Sequence, residues 1–526
     1  MTLTRPPWAL RIVGIAIAIL FAFPGVYLVF RNFSSGAEPL ELLTSSRTLE
    51  PLWRTIKLAV LVSLSAAVLG VALAWLTVRT NLIGRRFWRV LAPVPLVFPT
   101  FIGAAAFIRT LNPGGLAAGL LDQLGVGGFE LRGLFGAWLV LTLFTYPYVF
   151  LPVAARLQRL PGSLEDSARV LGDSASQAFR RIVFPQIRGA LGAGTLLVFL
   201  YTISDFGAVQ LMRYDTLTRA IETNYLARPA IAFALSLILL VLAIVVVGGE
   251  RSLSRGSDSL EQTRSSKPIV HALGRWQLPS LAFVVFAAVM SVGAPMVAIV
   301  DWASAGLLRT RNGGRRLTID SEKVVEAARN TLESSALAAV VAVLAVLPIA
   351  FLVGRYRDRV GGASHAVIIA TFALPGILIA LALRFWTLRS GFAADFLSDS
   401  KALLIFAYVV RFGSLAMGIT LVAVQTVPRR FHDAASTLGA GRVRRLFTID
   451  APMMAPGLMA AVGLVLLSTM KELPISLIIA PLGYPTLTTR IFGSFEDAFV
   501  AEAGIMAVVL VAMSAVLSWF LVLRRA

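Results

Sequence analysis

The chain has 526 residues, of which 57% are hydrophobic and 14% are charged, and its formal net charge is +20. A soluble domain is nearer half apolar and a quarter charged, so this composition excludes an ordinary soluble domain and predicts a polytopic membrane protein. The absence of cysteine excludes disulfides, thiolate metal ligands and cysteine nucleophiles, and three scattered histidines give no metal-ligand spacing.

Apolar runs of about 20 residues recur along the chain, each long enough to cross a bilayer. The first, at 12–30, follows Arg5 and Arg11 and lacks a small-residue cleavage site, which favours an uncleaved first helix over a signal peptide. The later runs lie near 56–78, 91–109, 136–157, 190–211, 229–248, 279–301, 332–354, 366–386, 402–424, 457–479 and 504–523. The sequence therefore predicts an all-α polytopic membrane protein with about twelve transmembrane helices, six in each half.

Most arginines lie in loops that this count places on one side of the membrane. The basic loops are at 79–89, 164–186, 249–278, 355–359 and 431–453, together with the C-terminal tail. By the positive-inside rule this side is cytoplasmic. The basic loop 302–331 falls on the opposite side and is the exception. Because membrane orientation accounts for the positive charge, we expect no nucleic-acid partner.

A polar segment near the middle of the chain separates two similar halves. Residues 249–267 are rich in serine, glycine and charge, which is typical of a flexible linker. We predict a first six-helix unit at 1–250, a cytoplasmic linker at 251–275 and a second six-helix unit at 276–526. Pro375 echoes Pro99 from the first half (375 − 99 = 276). Two parallel units of this kind predict a translocation path between them.

Two of the basic loops carry the same spaced pattern of an acid, an alanine, a glycine, two large apolar residues and a proline. The positions are Asp166, Ala168, Gly172, Phe179, Ile182 and Pro185 in the first loop (164–186), and Asp433, Ala435, Gly439, Leu446, Ile449 and Pro452 in the second (431–453). All six positions shift by the same amount between the copies (439 − 172 = 267).

The apolar period from Leu171 to Ile182 predicts one short helix along the cytoplasmic face. The acid lies at its start, where the helix dipole favours negative charge, and the proline is expected to end it before the next span. The glycine allows a tight bend or a close backbone approach. A loop repeated in register favours one partner contacted twice, and the alternative is a helix that lies at the lipid interface or packs on its own bundle.

This pattern resembles the Glu-Ala-Ala signature of the integral-membrane subunits of ABC importers, and the resemblance covers both halves. Asp166 and Asp433 stand where glutamate is commoner, Ser167 replaces the first alanine, and Leu446 replaces the usual aromatic residue. The resemblance implies a type I importer permease in the bacterial cytoplasmic (inner) membrane. It also implies that the two loops are coupling loops, which dock a homodimeric ATPase, one copy each, and that an extracytoplasmic binding protein delivers the solute.

No Gly-x-x-x-x-Gly-Lys-[Ser/Thr] loop occurs in the sequence, so no phosphate-binding loop of this type is present. The resemblance therefore assigns ATP and magnesium to the separate ATPase and implies no cofactor on this chain. We expect a transport subunit that works by alternating access, not an enzyme.

Two further charged positions are equivalent in the two halves. Asp205 and Glu472 are related by the same shift as the loops (472 − 205 = 267), and Lys471 precedes the second acid. An ionisable group in an apolar span is costly, so each is expected to face a cavity or a partner. One interpretation is a structural ion pair or helix cap, with Arg384 and Arg411 as candidate partners. The other is that Asp205, Lys471 and Glu472 line the translocation path.

The segments that contain these acids, Asp-Phe-Gly-Ala at 205–208 and Lys-Glu-Leu-Pro at 471–474, resemble the fused permeases of ferric iron importers. The resemblance implies ferric iron as the solute, and importers of thiamine, phosphonate or polyamine are the alternatives. A secondary transporter with two six-helix halves is the rival class, but the loop 79–89 lacks the acidic residue of its common motif, and the paired loops have no role in it.

Overall fold

The computed structural model describes residues 6–34, 45–123, 125, 130–254, 269–309, 320–372, 374–497 and 499–522. Within these ranges the chain is α-helical, and β pairing is limited to one isolated bridge between Thr80 and His271. The helices of the first half are α1 Trp8–Ser34, α2 Ser46–Arg79, α3 Arg85–Leu91, α4 Thr100–Leu111, α5 Ala118–Gln123, α6 Gly133–Thr145, α7 Pro147–Arg159, α8 Gly162–Val170, α9 Ala175–Ala178, α10 Phe184–Ser204, α11 Gly207–Leu211, α12 Leu217–Asn224 and α13 Pro229–Ser254.

The helices of the second half are α14 Gln277–Ala288, α15 Ala294–Arg309, α16 Ser321–Gly354, α17 Arg359–Thr371, α18 Gly376–Arg389, α19 Gly391–Leu397, α20 Lys401–Gln425, α21 Arg429–Thr437, α22 Arg442–Arg445, α23 Ala451–Thr469, α24 Pro474–Ile479, α25 Leu487–Glu496 and α26 Val500–Val522. The second half repeats the order of the first from its 34-residue helix α16 onward, except that the single helix α20 takes the place of α6 and α7. Three π turns, at Phe179–Val183, Val289–Gly293 and Leu446–Asp450, join consecutive helices without a break.

In the described part of the chain, ten helical stretches are long and apolar enough to cross a membrane, and two bent pairs raise the total to as many as twelve. The prediction of an all-α polytopic membrane protein is confirmed. The predicted third and ninth spans, however, are each two helices that meet at a bend of 101°. Pro99 and Pro375 are the N-caps of the second helix of each pair, because a residue without an N–H group ends the preceding helix and suits the start of the next.

The predicted fifth and eleventh spans, 190–211 and 457–479, are wrong at both ends. The helical stretches run over Ser176–Ser204 and Leu446–Thr469, and a short helix follows each of them. The amino-terminal turns of Ser176–Ser204 contain Arg180 and Arg181, and that of Leu446–Thr469 contains Asp450, and a hydropathy count assigns such charged positions to a loop although the backbone is helical. At the other end the helix stops at Asp205, an apolar-run position that hydropathy alone cannot distinguish from helix interior.

The contacts divide the chain into two compact units, one of residues 1–39, 224–240 and 306–526 and the other of residues 40–223 and 241–305. In the first of these, α1 packs on α16, α17 and α18, and the ring of Phe21 lies against the backbone of Gly413. In the other, Val284 of α14 shares a small cavity with Leu73 and Tyr146. The predicted division into 1–250, 251–275 and 276–526 follows the repeat in the sequence, whereas the two compact units are defined by contacts between residues. The predicted division therefore stays a prediction.

Long helices pack through small residues and turn large apolar residues outward. Ala59 and Ala66 of α2 are fully buried, as are Ala338 and Ala342 of α16. Small side chains let helix backbones approach closely, which is how helices associate in lipid. Ile19 of α1 is 63% exposed, and such outward apolar side chains are expected where the solvent is hydrocarbon.

Two predicted loops fall partly outside the described residues. Helix α13 continues to Ser254, and of the predicted linker only residues 269–275 follow the gap at 255–268. In the basic loop 302–331, α15 reaches Arg309 and α16 begins at Ser321, and residues 310–319 lie outside the described ranges.

Candidate functional site

Both repeated loops fold through the same series of elements. In the first loop α8 is followed by Gly172, α9, the π turn Phe179–Val183 and α10. In the second loop α21 is followed by Gly439, α22, the π turn Leu446–Asp450 and α23. Because each step recurs at the spacing of the sequence motif, the motif encodes a backbone geometry and not only a set of side chains.

The motif glycines adopt the left-handed conformation, with φ of 99° at Gly172 and 76° at Gly439. The N–H of Asp173 donates to the carbonyl of Ala168, and the N–H of Ala440 donates to that of Ala435, which closes the end of each helix. A Cβ at either glycine would meet no atom within 4 Å. The glycines are therefore required for the bend, not for a close approach of another segment.

The prediction of one continuous helix from Leu171 to Ile182 is wrong, because the left-handed glycine separates α8 from α9. Leu171 ends α8 and its side chain is 87% exposed, as Leu438 is 85% exposed in the second loop. Ala168 and Ala435, by contrast, are 7% exposed. Each loop therefore turns its alanine inward and presents a leucine at its tip.

The remaining motif residues lie at or near the π turns. Phe179 and Ile182 are half-buried, and the Phe179 ring packs edge-on against Trp75 with centroids 5.1 Å apart. Leu446 is 37% exposed and Ile449 is half-buried. The acids lie on the first helix of each loop. Asp166 is exposed on α8, and the backbone of Asp433 lies at the matching position of α21.

The prolines do not end the loop helices as expected. Pro185 and Pro452 lie in the first turn of α10 and α23, and the helical backbone runs through both. The reason is the preceding π turn, in which the N–H of Phe184 reaches back to the carbonyl of Phe179. The π turn changes the hydrogen-bond pattern, so α10 begins with a first turn of its own. A proline in the first turn of a helix costs little, because the N–H groups there have no partner within the helix.

A buried ion pair attaches each loop to the end of a long helix in the same unit. Arg79, the last residue of α2, contacts Glu165 of α8, and their side chains are 0% and 4% exposed. Arg355, which caps the end of α16, contacts Asp450 of the second π turn at 2.7 Å. Sequence reasoning used these arginines only as markers of topology and missed the pairs. The sequence did mark the two arginines as equivalent, because they are separated by the same 276 positions as Pro99 and Pro375 (355 − 79 = 276).

Asp205 lies at the end of α10 and is 7% exposed. Its carboxylate accepts hydrogen bonds from Thr100 Oγ1 at 2.5 Å and from the N–H of Ala208 at 3.0 Å. Its carbonyl accepts from Thr218 Oγ1 at 2.6 Å. Asp205 therefore joins the start of α4, α11 and α12 in a buried junction. Nearby, Thr55 of α2 accepts from the N–H of Leu217 at 2.8 Å.

The second half repeats this junction with different side chains. The Glu472 carbonyl accepts from Thr488 Oγ1 at 3.1 Å, and Thr331 Oγ1 accepts from the N–H of Leu487 at 2.8 Å. In the first half Thr100 donates to Asp205, the shorter of the two acids. The position that corresponds to Thr100 in the second half is Gly376, where an added Cβ would overlap the Glu472 carboxylate. The longer acid thus takes the space that the threonine side chain fills in the first half.

The residues predicted for the translocation path lie at matching breaks between helices in the two halves. Asp205 has the hydrogen bonds of a structural junction, and Lys471 and Glu472 are half-buried at the corresponding break between α23 and α24. The candidate partners Arg384 and Arg411 donate to the carbonyls of Ser398 and Leu374. The described residues contain no group of three or more His, Cys, Asp or Glu placed to hold a metal ion.

Comparisons with known proteins place both halves in one family. Residues 66–257 and 346–525 match the family described as "Binding-protein-dependent transport system inner membrane component", and each match contains one repeated loop. A Haemophilus influenzae protein, "Fe(3+)-transport system permease protein FbpB 2", is 28% identical to this chain over 97% of both chains. Escherichia coli "Sulfate transport system permease protein CysW" is 30% identical over 42% of this chain and 77% of its own length. A Haloferax volcanii "Probable molybdenum ABC transporter permease protein" is 29% identical over 38% of this chain and 74% of its own.

Proposed function

Since this chain belongs to the family of binding-protein-dependent transport system inner membrane components, we propose that it carries ferric iron into the cytoplasm at the expense of ATP hydrolysed by a separate partner. The chain is an ABC importer permease of the inner membrane and contains two family units. The partner is a homodimeric ATPase that binds ATP and magnesium on the cytoplasmic face. An extracytoplasmic binding protein supplies the iron.

The observation that carries the ATPase part of this proposal is the doubled loop. Two loops with the same backbone, each with a leucine more than four-fifths exposed at its tip, suit two equivalent grooves of a symmetric partner. The buried alanines and ion pairs fix each loop to its own unit, so force on the tip is passed to a long helix. An interfacial helix would need neither the left-handed bend nor its repetition.

The test is to place a β-branched residue where the bend needs glycine. Gly172→Val and Gly439→Val force a bulky side chain into the left-handed conformation, so we expect loss of ATPase co-purification and of transport. Gly441→Val is the matched control, because Gly441 lies in the second loop, has open space around it and has no positive φ. Unchanged co-purification and transport in both bend variants would refute the docking role.

Ferric iron is supported by a relative that matches almost the whole fused chain. The permease named for Fe(3+) transport covers 97% of this chain, whereas the sulfate and molybdenum permeases cover 42% and 38%. Uptake of radiolabelled ferric iron by cells that express this chain, compared with cells that lack it, tests the assignment. Iron uptake that does not depend on the chain would overturn it, and so would uptake of labelled sulfate in its place.

For the path itself we propose Asp205, Lys471 and Glu472, because ionisable groups recur there at the same break of a span in both halves. Asp205→Asn and Glu472→Gln keep the size of each side chain and remove its charge. We expect both variants to insert normally and to lose most iron uptake. Normal uptake in both would place these residues in the structural junction alone.

A further inference from the structure

We propose that the end of the linker between the two halves, residues 269–273, is a positioning element that keeps the first coupling loop fixed to α2 throughout the transport cycle. We call the assembly of residues 269–273, Arg79 and Glu165 the linker clamp. The inference rests on the proposed function, since it concerns how a loop that binds the ATPase passes its movement to the membrane helices. All parts of the clamp lie within one compact unit.

The backbone of the linker end is paired with the turn that follows α2. The N–H of His271 donates to the carbonyl of Arg79 at 2.8 Å, and the N–H of Asn81 donates to the carbonyl of His271 at 3.1 Å. The side chain of Asn81 accepts from the N–H of Leu273 at 2.9 Å. These hydrogen bonds hold the segment in one register on the end of α2.

The side chains extend the same contact to α8, the first helix of the loop. Glu165 of α8 contacts the fully buried guanidinium of Arg79, and its second oxygen lies 3.1 Å from His271 Nε2. Ile269 packs on the start of α8, where a Cβ added to Gly162 would lie 2.6 Å from Ile269 Cγ1. One buried carboxylate thus bridges the end of a long helix and the linker.

Aromatic rings continue the contact to the π turn. The His271 ring stacks on Trp75 of α2 with centroids 5.5 Å apart and planes inclined by 17°. Trp75 in turn meets the motif residue Phe179 edge to face. The linker end therefore touches α2 directly, and through it the second part of the loop that follows Gly172.

We assign His271 as the neutral imidazole with its proton on Nε2, which is the tautomer that can donate to Glu165. Burial lowers the pKa of His271, and the charges of Arg79 and Arg169 lower it further, against an opposite effect from Asp166. A neutral ring with its proton on Nε2 donates to Glu165, while the carboxylate keeps its charge for Arg79. The clamp thus places one carboxylate between two donors.

The buried ion pair of the second loop lies after the left-handed glycine, whereas that of the first loop lies before it. Arg355 contacts Asp450 in the π turn, beyond the second left-handed glycine. In the first loop Glu165 precedes the bend at Gly172, so α8 itself is tied to α2. We infer that α8, the end of α2 and the linker end move as one body.

Cysteine cross-linking tests this rigid-body behaviour without measuring the solute. The chain has no native cysteine, so Gly162→Cys with Ile269→Cys introduces the only pair. In proteoliposomes that contain the ATPase complex, we expect equal disulfide yields in the nucleotide-free, ATP-bound and vanadate-trapped states. The two single variants control for cross-links between molecules. A yield that falls in any one state would show that α8 leaves the linker end and would overturn the proposal.

A second measurement separates positioning from a purely structural role. His271→Leu removes the donor to Glu165, whereas His271→Gln keeps an N–H group there. For His271→Leu we expect basal ATP hydrolysis by the complex, without solute, to rise roughly threefold to tenfold, the factor that one ordinary hydrogen bond supplies. His271→Gln should restore the wild-type rate, and Asp301→Asn, which breaks the Arg109 ion pair of the same unit, should leave it unchanged.

These outcomes distinguish the clamp from the proposed function. If the unaltered chain fails to co-purify with an ATPase, the proposed function fails whatever the clamp does. If the complex forms normally and His271→Leu has the same basal hydrolysis as His271→Gln, only the clamp is refuted.

Discussion

The first repeated loop ends α8 at a left-handed glycine and enters α10 through a π turn, and the second loop repeats both steps before α23. The anchors differ. Glu165 holds the first loop to Arg79 ahead of its bend, whereas Asp450 holds the second loop to Arg355 behind its bend. The halves thus share the backbone of the repeated loop, and they differ in where a buried ion pair joins that loop to a long helix.

The two acid junctions give the same lesson at a smaller scale. A threonine and an aspartate in the first half correspond to a glycine and a glutamate in the second, so the space is conserved while the side chains change. A duplicated unit keeps its backbone geometry and adjusts the groups around it. Each of the following changes breaks one of these paired features or transfers it between the halves.

The largest effect is expected from Arg79→Ala, which leaves the Glu165 carboxylate buried without its cation. Loss of one partner of a buried pair costs about 3–5 kcal/mol, so the thermal unfolding midpoint of the protein in detergent should fall strongly. Arg355→Ala should cost less, because the Arg355 side chain is 14% exposed and its site is already partly solvated. Equal losses would mean that the two anchors are equivalent.

A transfer of the first junction into the second half should have an intermediate effect. Gly376→Thr overlaps Glu472, and we expect it to lower the free energy of unfolding by about 1–3 kcal/mol, as overpacking of a close contact does. Adding Glu472→Asp rebuilds the arrangement of Thr100 with Asp205 and should recover most of the loss. The unfolding midpoints of the single and double variants measure this, and a double variant no better than Gly376→Thr would refute the exchange.

The smallest effect is expected at Leu446, where the second loop has leucine at the position that Phe179 occupies in the first. Phe179 pairs with Trp75 in the first half, and the corresponding positions in the second half are Leu446 and Phe351. Leu446→Phe should add an aromatic pair worth about 0.5–1.5 kcal/mol, visible as slower dissociation of the ATPase or a higher unfolding midpoint. Phe179→Leu should cause the opposite change in the first loop, and no change in either variant would remove the aromatic contact from the account.

The sequence predicted what depends on composition and on repeated spacing. Apolar runs identified an all-α membrane protein, and the motif at Gly172 and Gly439 located both loops. What depends on hydrogen-bond geometry was missed. Runs of span length do not reveal the bends at Pro99 and Pro375, and a helical period does not reveal a left-handed break or a π turn.

The buried pairs were missed for a different reason. An arginine at a helix end is taken as a topology signal whether it faces water or a carboxylate, so Arg79 and Glu165 could not be joined from spacing alone. The fold brings these two residues together across 86 positions of sequence (165 − 79), and nothing local in the sequence records that contact. The packing of α1 on the helices of residues 306–526 is non-local in the same way.

The central claim is that the two loops bind two copies of one ATPase. Leu171→Cys and Leu438→Cys place single thiols on the exposed tips of a cysteine-free chain, where a photoactivatable cross-linker can be attached. We predict that each single variant forms an adduct with one ATPase chain and that the double variant forms an adduct with two. Adducts with lipid alone at both positions would contradict the account.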